Sequence, residues 1–191
     1  AWEDLPLYGG NDWDYNDWVI EIEVEYVFDV DGVTQMRLYI DPWARGAAYH
    51  HSQGLAVAMG TLTSTGMYIV NHYDTDWTYL SSEESVLFGT DEDLAITMFE
   101  DTWVTLPPNE VNGNFGTYSF DANTEPGYGI VLGEKFGVDF VFDNELPLDP
   151  ATLLNVQPGT HCENMPWDLF LWVENTGEYI ANGDVRMLCV P

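Results

Sequence analysis

Four oxygen-bearing side chains fall within six residues in Asp12-Trp13-Asp14-Tyr15-Asn16-Asp17, directly ahead of a run with strand periodicity. Hard cations such as Ca²⁺ take roughly six to eight oxygen ligands, and Asp and Asn side chains on a tight loop converge readily on one point. Calcium is the cofactor this spacing points to, since magnesium keeps more of its water and takes fewer protein oxygens. Asp12, Asp14, Asn16 and Glu23 also stand at the first, third, fifth and twelfth places of a helical calcium loop. That reading fails, because Asp17 occupies the place that needs glycine and Glu23 lies in an alternating segment. Loop ligands alone rarely complete a shell, so Glu3 and Asp4 join Asp12, Asp14, Asn16 and Asp17 as candidate ligands. A solvated acidic turn held by Asx capping, with no metal, has the same composition.

Other chemistry finds less support. The histidines are His50, His51, His72 and His161, without the H-x-x-x-H or C-x-x-C spacing of a zinc site; His50 reads as a strand-end residue bonded to a backbone carbonyl. His161 and Cys162 adjoin in sequence, an arrangement that seldom presents both side chains to one substrate. Ser81, Ser82 and Ser85 lack a G-x-S-x-G context. Thirty-three acids with 8 Trp, 11 Tyr and 9 Phe could line a glycosidase cleft, yet no carboxylate pair stands out. The same aromatics suit a carbohydrate platform, with Trp2, Trp13, Trp18, Trp43, Trp77, Trp103, Trp167 and Trp172 as candidates. The expectation is a chain with no catalytic residues.

The elements that must position these residues are strands. From Val19 to Val30, Ile20, Ile22, Val24 and Tyr26 alternate with Glu21, Glu23 and Glu25, predicting a half-buried strand with a carboxylate-bearing outer face. Asp31-Gly32 signals a two-residue hairpin into a strand from Val33 to Ile40. Further strands are expected over Leu55 to Met59, Met67 to Asn71, Ser85 to Phe88, Leu94 to Phe99, Gly116 to Phe120, Tyr128 to Leu132, Gly137 to Phe142, Leu169 to Glu174, Glu178 to Ile180 and Val185 to Val190. Asn71 to Glu84 and Pro107 to Asn114 read as long surface loops. No segment keeps a 3.6-residue period over three turns. The expected fold is all-β: an antiparallel two-sheet sandwich, jelly-roll-like, with long acidic loops and little helix, in one domain over residues 1–191.

Net charge is −29, with only Arg37, Arg45, Lys135 and Arg186 on the basic side. Nucleic acid and anionic membrane are excluded as partners by repulsion, and no apolar stretch is long enough to insert in a bilayer. Such a surface calls for screening ions or bound cations, as in calcium-bearing extracellular water or concentrated salt. Cys162 and Cys189 are the only cysteines. In a secreted chain they read as a disulfide closing about 27 residues, stabilising by about 3 to 4 kcal/mol in the chain-entropy model; otherwise they are two buried thiols. Ala1 reads as a processed end, with a secretory signal already removed.

Glu3-Asp4-Leu5-Pro6, then Asp12 to Asp17 running into Trp18-Val19-Ile20, resembles the opening of the LruC-type domain of bacterial secreted and surface proteins. Arg45 to His50 with Gly54 to Val57, Phe99 to Thr102, Val138 to Asn144 and Pro166 to Val173 resemble its later landmarks in order. The resemblance implies an extracellular, mostly β domain with no established catalysis. Together with the acidic surface and the cysteine pair, it leads to a calcium-binding structural unit of an extracellular or cell-surface assembly. Such a unit, a filament subunit for example, would associate with identical copies through sheet edges. A carbohydrate-binding or adhesion module taking surface glycans is the alternative.

Asp14→Ala should lower the thermal midpoint in calcium and leave it nearly unchanged in chelator, because a ligand stabilises only the state that binds it. Differential scanning fluorimetry under both conditions decides it; equal losses would remove the metal.

Overall fold

The computed structural model describes residues 18–46, 50–57, 64–89, 94–111, 114–115, 121–124, 127–146 and 167–174, with backbone alone at 56–57, 95, 111, 114–115 and 167–174. The strands are β1 (Val19–Phe28), β2 (Val33–Ala44), β3 (His50–Val57), β4 (Gly66–Tyr73), β5 (Tyr79–Ser82), β6 (Val86–Phe88), β7 (Leu94–Phe99), β8 (Glu110–Val111), β9 (Asn114–Phe115), β10 (Lys135–Leu146) and β11 (Trp167–Glu174). A four-residue helix, α1 (Thr102–Thr105), follows β7. The larger sheet runs β1-β2-β10-β4-β5, with β6 also on β4; the smaller runs β11-β3-β7, and β8 pairs β9. Every ladder is antiparallel. The described residues are thus mostly antiparallel β in two main sheets with almost no helix, as the alternation predicts.

Period-two alternation supplies the core. Met36, Leu38 and Ile40 of β2, Val70 of β4, Phe88 of β6 and Phe136, Val138, Phe140 and Phe142 of β10 are buried on one face of the larger sheet. Leu55 of β3 and Ile96, Met98 and Phe99 of β7 join the same cluster from the smaller sheet. The sheets meet where Phe99 packs edge-on to Phe136, ring centroids 4.3 Å apart. Trp18, just ahead of β1, ties them further. Its ring is fully buried and T-shaped to Phe99 at 5.8 Å, and its indole N–H donates to Gln53 Oε1 of β3 at 2.6 Å.

Gly66 opens β4 where no side chain fits, since a Cβ there would overlap the Val141 carbonyl oxygen and crowd the Phe88 ring. Beyond Val141 the β10 register with β2 shifts, so that Leu146 rather than a nearer residue meets Val33. On the other side of β10 the pairing with the β4 end carries on, through Asp143 N–H to Thr65 O and Asn144 N–H to Ser64 Oγ, at 2.8 and 3.0 Å.

Several boundaries differ from the sequence reading. The β1–β2 connection is the four residues Asp29 to Gly32, closed by Asp29 N–H to Gly32 O at 2.8 Å. Asn71 to Glu84 is not a loop: β4 continues to Tyr73 and β5 returns after a tight turn. Its Asp and Thr residues make that turn, with Asp74 N–H to Thr78 O, Trp77 N–H to Asp74 O and Thr78 N–H to Asp76 Oδ1. Glu110 and Val111 form β8 inside the expected Pro107 loop. Tyr128 to Leu132 is not a strand. Asn109 and Asn123 take its backbone groups instead: Val131 N–H donates to Asn123 Oδ1 at 2.8 Å, Asn123 Nδ2 donates to Val131 O at 2.7 Å, and Asn109 Nδ2 donates to Gly129 O at 3.3 Å. The expected strands at Gly116 to Phe120, Glu178 to Ile180 and Val185 to Val190 lie outside the described residues.

Trp18→Phe removes the indole donor, leaving a buried acceptor and a partly filled site. A loss of about 3 kcal/mol is expected, seen as a drop of roughly 6 to 12 °C in thermal midpoint; an unchanged midpoint would show that Trp18 does not couple the sheets.

Candidate functional site

The face of the larger sheet turned away from the core carries the most developed cluster of side chains among the described residues. Register sets its rows: Glu25 of β1, Arg37 of β2, Asp139 of β10 and Ile69 of β4 lie side by side, as do Glu23, Tyr39, Gly137 and Asn71. Arg37 bonds Glu25 Oε2 at 3.0 Å and Gln35 Oε1 at 3.1 Å, while Asn71 Nδ2 donates to Asp139 Oδ2 at 3.0 Å. The Arg37 pair is half exposed, so it contributes at most about 1 kcal/mol and serves mainly to balance charge. Lys135 is buried to its tip and bonds Asp41 Oδ2.

An aromatic patch adjoins this polar row. At Gly137 the absent side chain leaves space into which Tyr39 and Tyr73 lean; an added Cβ would stand 3.4 and 3.2 Å from their rings. Trp77, from the turn between β4 and β5, sits edge-on to both, with centroids 5.9 Å from Tyr39 and 5.4 Å from Tyr73. Tyr79 lies 6.1 Å from Tyr73 and bonds Ser82 through its hydroxyl. The Lys135 ammonium stands over the Trp77 ring, 5.1 Å from its centroid. Burial, then the Asp139 charge, raises the Tyr39 phenol, and burial, then Tyr39 and Asp139, raises that of Tyr73. Both remain hydroxyl donors at neutral pH.

The opposite side offers a cleft of about 580 Å³ bounded by β4, β7 and α1. Phe136, Ile96 and Phe99 line it together with His72, Glu83, Glu100, Asp101 and Glu134. Burial, then Glu83, raises the Tyr68 phenol beside it. Three of its polar side chains are engaged: His72 Nε2 faces Glu83 at 3.4 Å, and Asp101 caps α1 through Trp103 N–H at 2.9 Å. Asp101 also holds His50 Nδ1 at 2.8 Å, so His50 bonds a carboxylate rather than the backbone carbonyl expected of it. His50 stacks on Trp103, and the Arg45 guanidinium lies 4.5 Å from the same ring. Burial lowers Arg45 to about 10, against the opposing pull of Asp101 and Asp121, so it stays charged at neutral pH. Among the described residues no three His, Cys, Asp or Glu side chains converge as metal ligands.

The sequence-based candidates divide unevenly. Glu3, Asp4, Asp12, Asp14, Asn16 and Asp17, and likewise Cys162, Cys189, Trp2 and Trp13, lie outside the described residues. Trp167 and Trp172 are placed by their backbone in β11. Trp18 is core, Trp43 and Trp77 are exposed, and Trp103 stacks on His50. Tyr39, Tyr73, Asn71, Asp139 and Lys135 were not among the candidates. Alternation along β2 sets Tyr39 on the outer side with Arg37, but the pairing that brings β10 and β4 alongside has no signal in the sequence.

The Asp76 carboxylate is held below its ordinary value of 3.8 by hydrogen bonds from the Thr78 side chain and amide. A depressed carboxylate adds stability that is present above the unfolded value and lost as pH falls through the folded one. The Thr78 amide resonance should therefore titrate with a midpoint below 3.8, with the Trp77 turn loosening across the same interval. An NMR pH titration reads this; a midpoint at or above that value would break the link.

Protein-family models, curated proteins and solved structures contain no match to this chain, so the resemblance to the LruC-type domain rests on its sequence landmarks.

Proposed function

We propose that the chain is a non-enzymatic, calcium-binding β-sandwich that serves as a building block of an extracellular or cell-surface assembly, associating with identical subunits. The supporting observation is the β5–β6 edge of the larger sheet. Tyr79, Leu80, Val86 and Leu87 are exposed there, Leu87 at 78%, on two short segments that contain no acid. Among the described residues this edge is open, and an open edge offers unpaired backbone groups to an added strand; the exposed Glu83 and Glu84 stand between the two segments, but the edge carries fewer acids than β1, so like subunits of a chain of net charge −29 approach there with less repulsion. The opposite edge, β1, carries Glu21, Glu23 and Glu25. Calcium at Asp12, Asp14, Asn16 and Asp17, with Glu3 or Asp4, would neutralise part of the remaining charge.

A second reading, binding of surface glycans, is favoured by the aromatic patch around Trp77.

The first reading predicts that EDTA disperses the assembly and concentrated NaCl does not, since screening weakens repulsion while coordination needs a particular ion. Leu87→Asp should reduce assembly at equal calcium without lowering the thermal midpoint. Sedimentation velocity measures all three, and dispersal by salt with no response to EDTA would overturn cation-supported association.

A further inference from the structure

Trp77 stands at φ +68°. Left-handed backbone costs an L-residue about 1 to 2 kcal/mol, and for a bulky side chain it is an outlier that tends to mark a functional position. Glycine would take this place without strain. Packing alone does not account for tryptophan here, because the ring remains 40% exposed. What the conformation achieves is to carry an indole out of the β4–β5 turn and onto the face formed by Tyr39 and Tyr73.

The charge around it is unlike the rest of the chain. Two of the four basic residues, Arg37 and Lys135, lie on this face, paired with Glu25 and Asp41. Anions are repelled by the net charge of −29. Cations find many acidic sites elsewhere and meet Lys135 beneath the indole here. A neutral ligand is the class this face does not oppose. Its groups are of two kinds: apolar ring surfaces at Tyr39, Tyr73 and Trp77, and exposed hydroxyls at Tyr79 and Ser82. A pyranose presents the matching pair, a C–H face and a rim of hydroxyls. Aromatic side chains with a polar end suit such a boundary.

We infer that the outer face of the larger sheet, around Trp77, Tyr39 and Tyr73, binds a neutral carbohydrate chain. This rests on the glycan-binding reading above and gives it a site and a ligand class.

The test uses the full chain and, as probes, hexamers of β-1,4-linked glucose, xylose and mannose, with alginate as the anionic comparator, in isothermal titration. Trp77→Gly keeps the backbone angle and removes the ring; Tyr39→Ala removes a second ring. Phe28→Ala, at the far end of β1, is the control. At least one neutral hexamer should bind, Trp77→Gly and Tyr39→Ala should each weaken it about tenfold or more, and Phe28→Ala should not. Thermal midpoints of the three variants show whether each is folded; should Tyr39→Ala unfold, Trp77→Gly decides alone. Binding that survives Trp77→Gly overturns the site and leaves the glycan reading standing. Binding of none of the probes overturns both; alginate binding alone overturns the neutral-ligand inference and leaves the glycan reading standing. A changed sedimentation coefficient in Trp77→Gly, with no sugar bound, makes the patch a contact between copies and overturns the inference.

Discussion

Trp18 is the point on which the two sheets depend. It precedes the first strand of the larger sheet by one residue, yet its indole is fastened to Gln53 and its ring to Phe99, both in the smaller sheet. A fully buried indole needs a partner for its N–H, so the depth of this anchor and its direction are fixed together. The acidic stretch Asp12 to Asp17 runs directly into it.

Charge constrains the rest. A surface with 33 acids cannot pack against copies of itself at random, and the fold answers by separating its edges in kind. Glutamates line β1, exposed apolar residues of β5 and β6 flank Glu83 and Glu84, and two of the few bases sit on the face between. The Lys135–Asp41 and Arg37–Glu25 pairs add little net stability. They hold the local potential near neutral beneath a row of aromatic rings.

Much of this was legible in the residues. The alternation from Val19 to Val30 gave a strand with an outer carboxylate row, which β1 keeps over Val19–Phe28, because burial on one side imposes period two, and the run from Leu94 to Phe99 gave its strand. Turn chemistry was less transparent. Asp74, Thr75, Asp76 and Thr78 have the composition of a loop, yet their side chains bond within five residues and make a hairpin. Tyr128 to Leu132 failed the other way: its apolar residues suggest a ladder, and two distant asparagines took the backbone bonds a ladder would have used. The patch at Trp77 depends on β10 lying between β2 and β4, strands far apart in sequence, and a single chain offers no signal for that pairing.

That same insertion governs how the molecule can be made. β2 and β4 are synthesised well before residue 135, and each must wait with a bare edge for the strand that joins them. Pairings of such long sequence separation form slowly. A chain emerging from the ribosome therefore cannot close its larger sheet until β10 is out. Its like charges keep neighbouring nascent chains apart over that interval, so the acidity that hinders assembly of the finished protein protects the unfinished one.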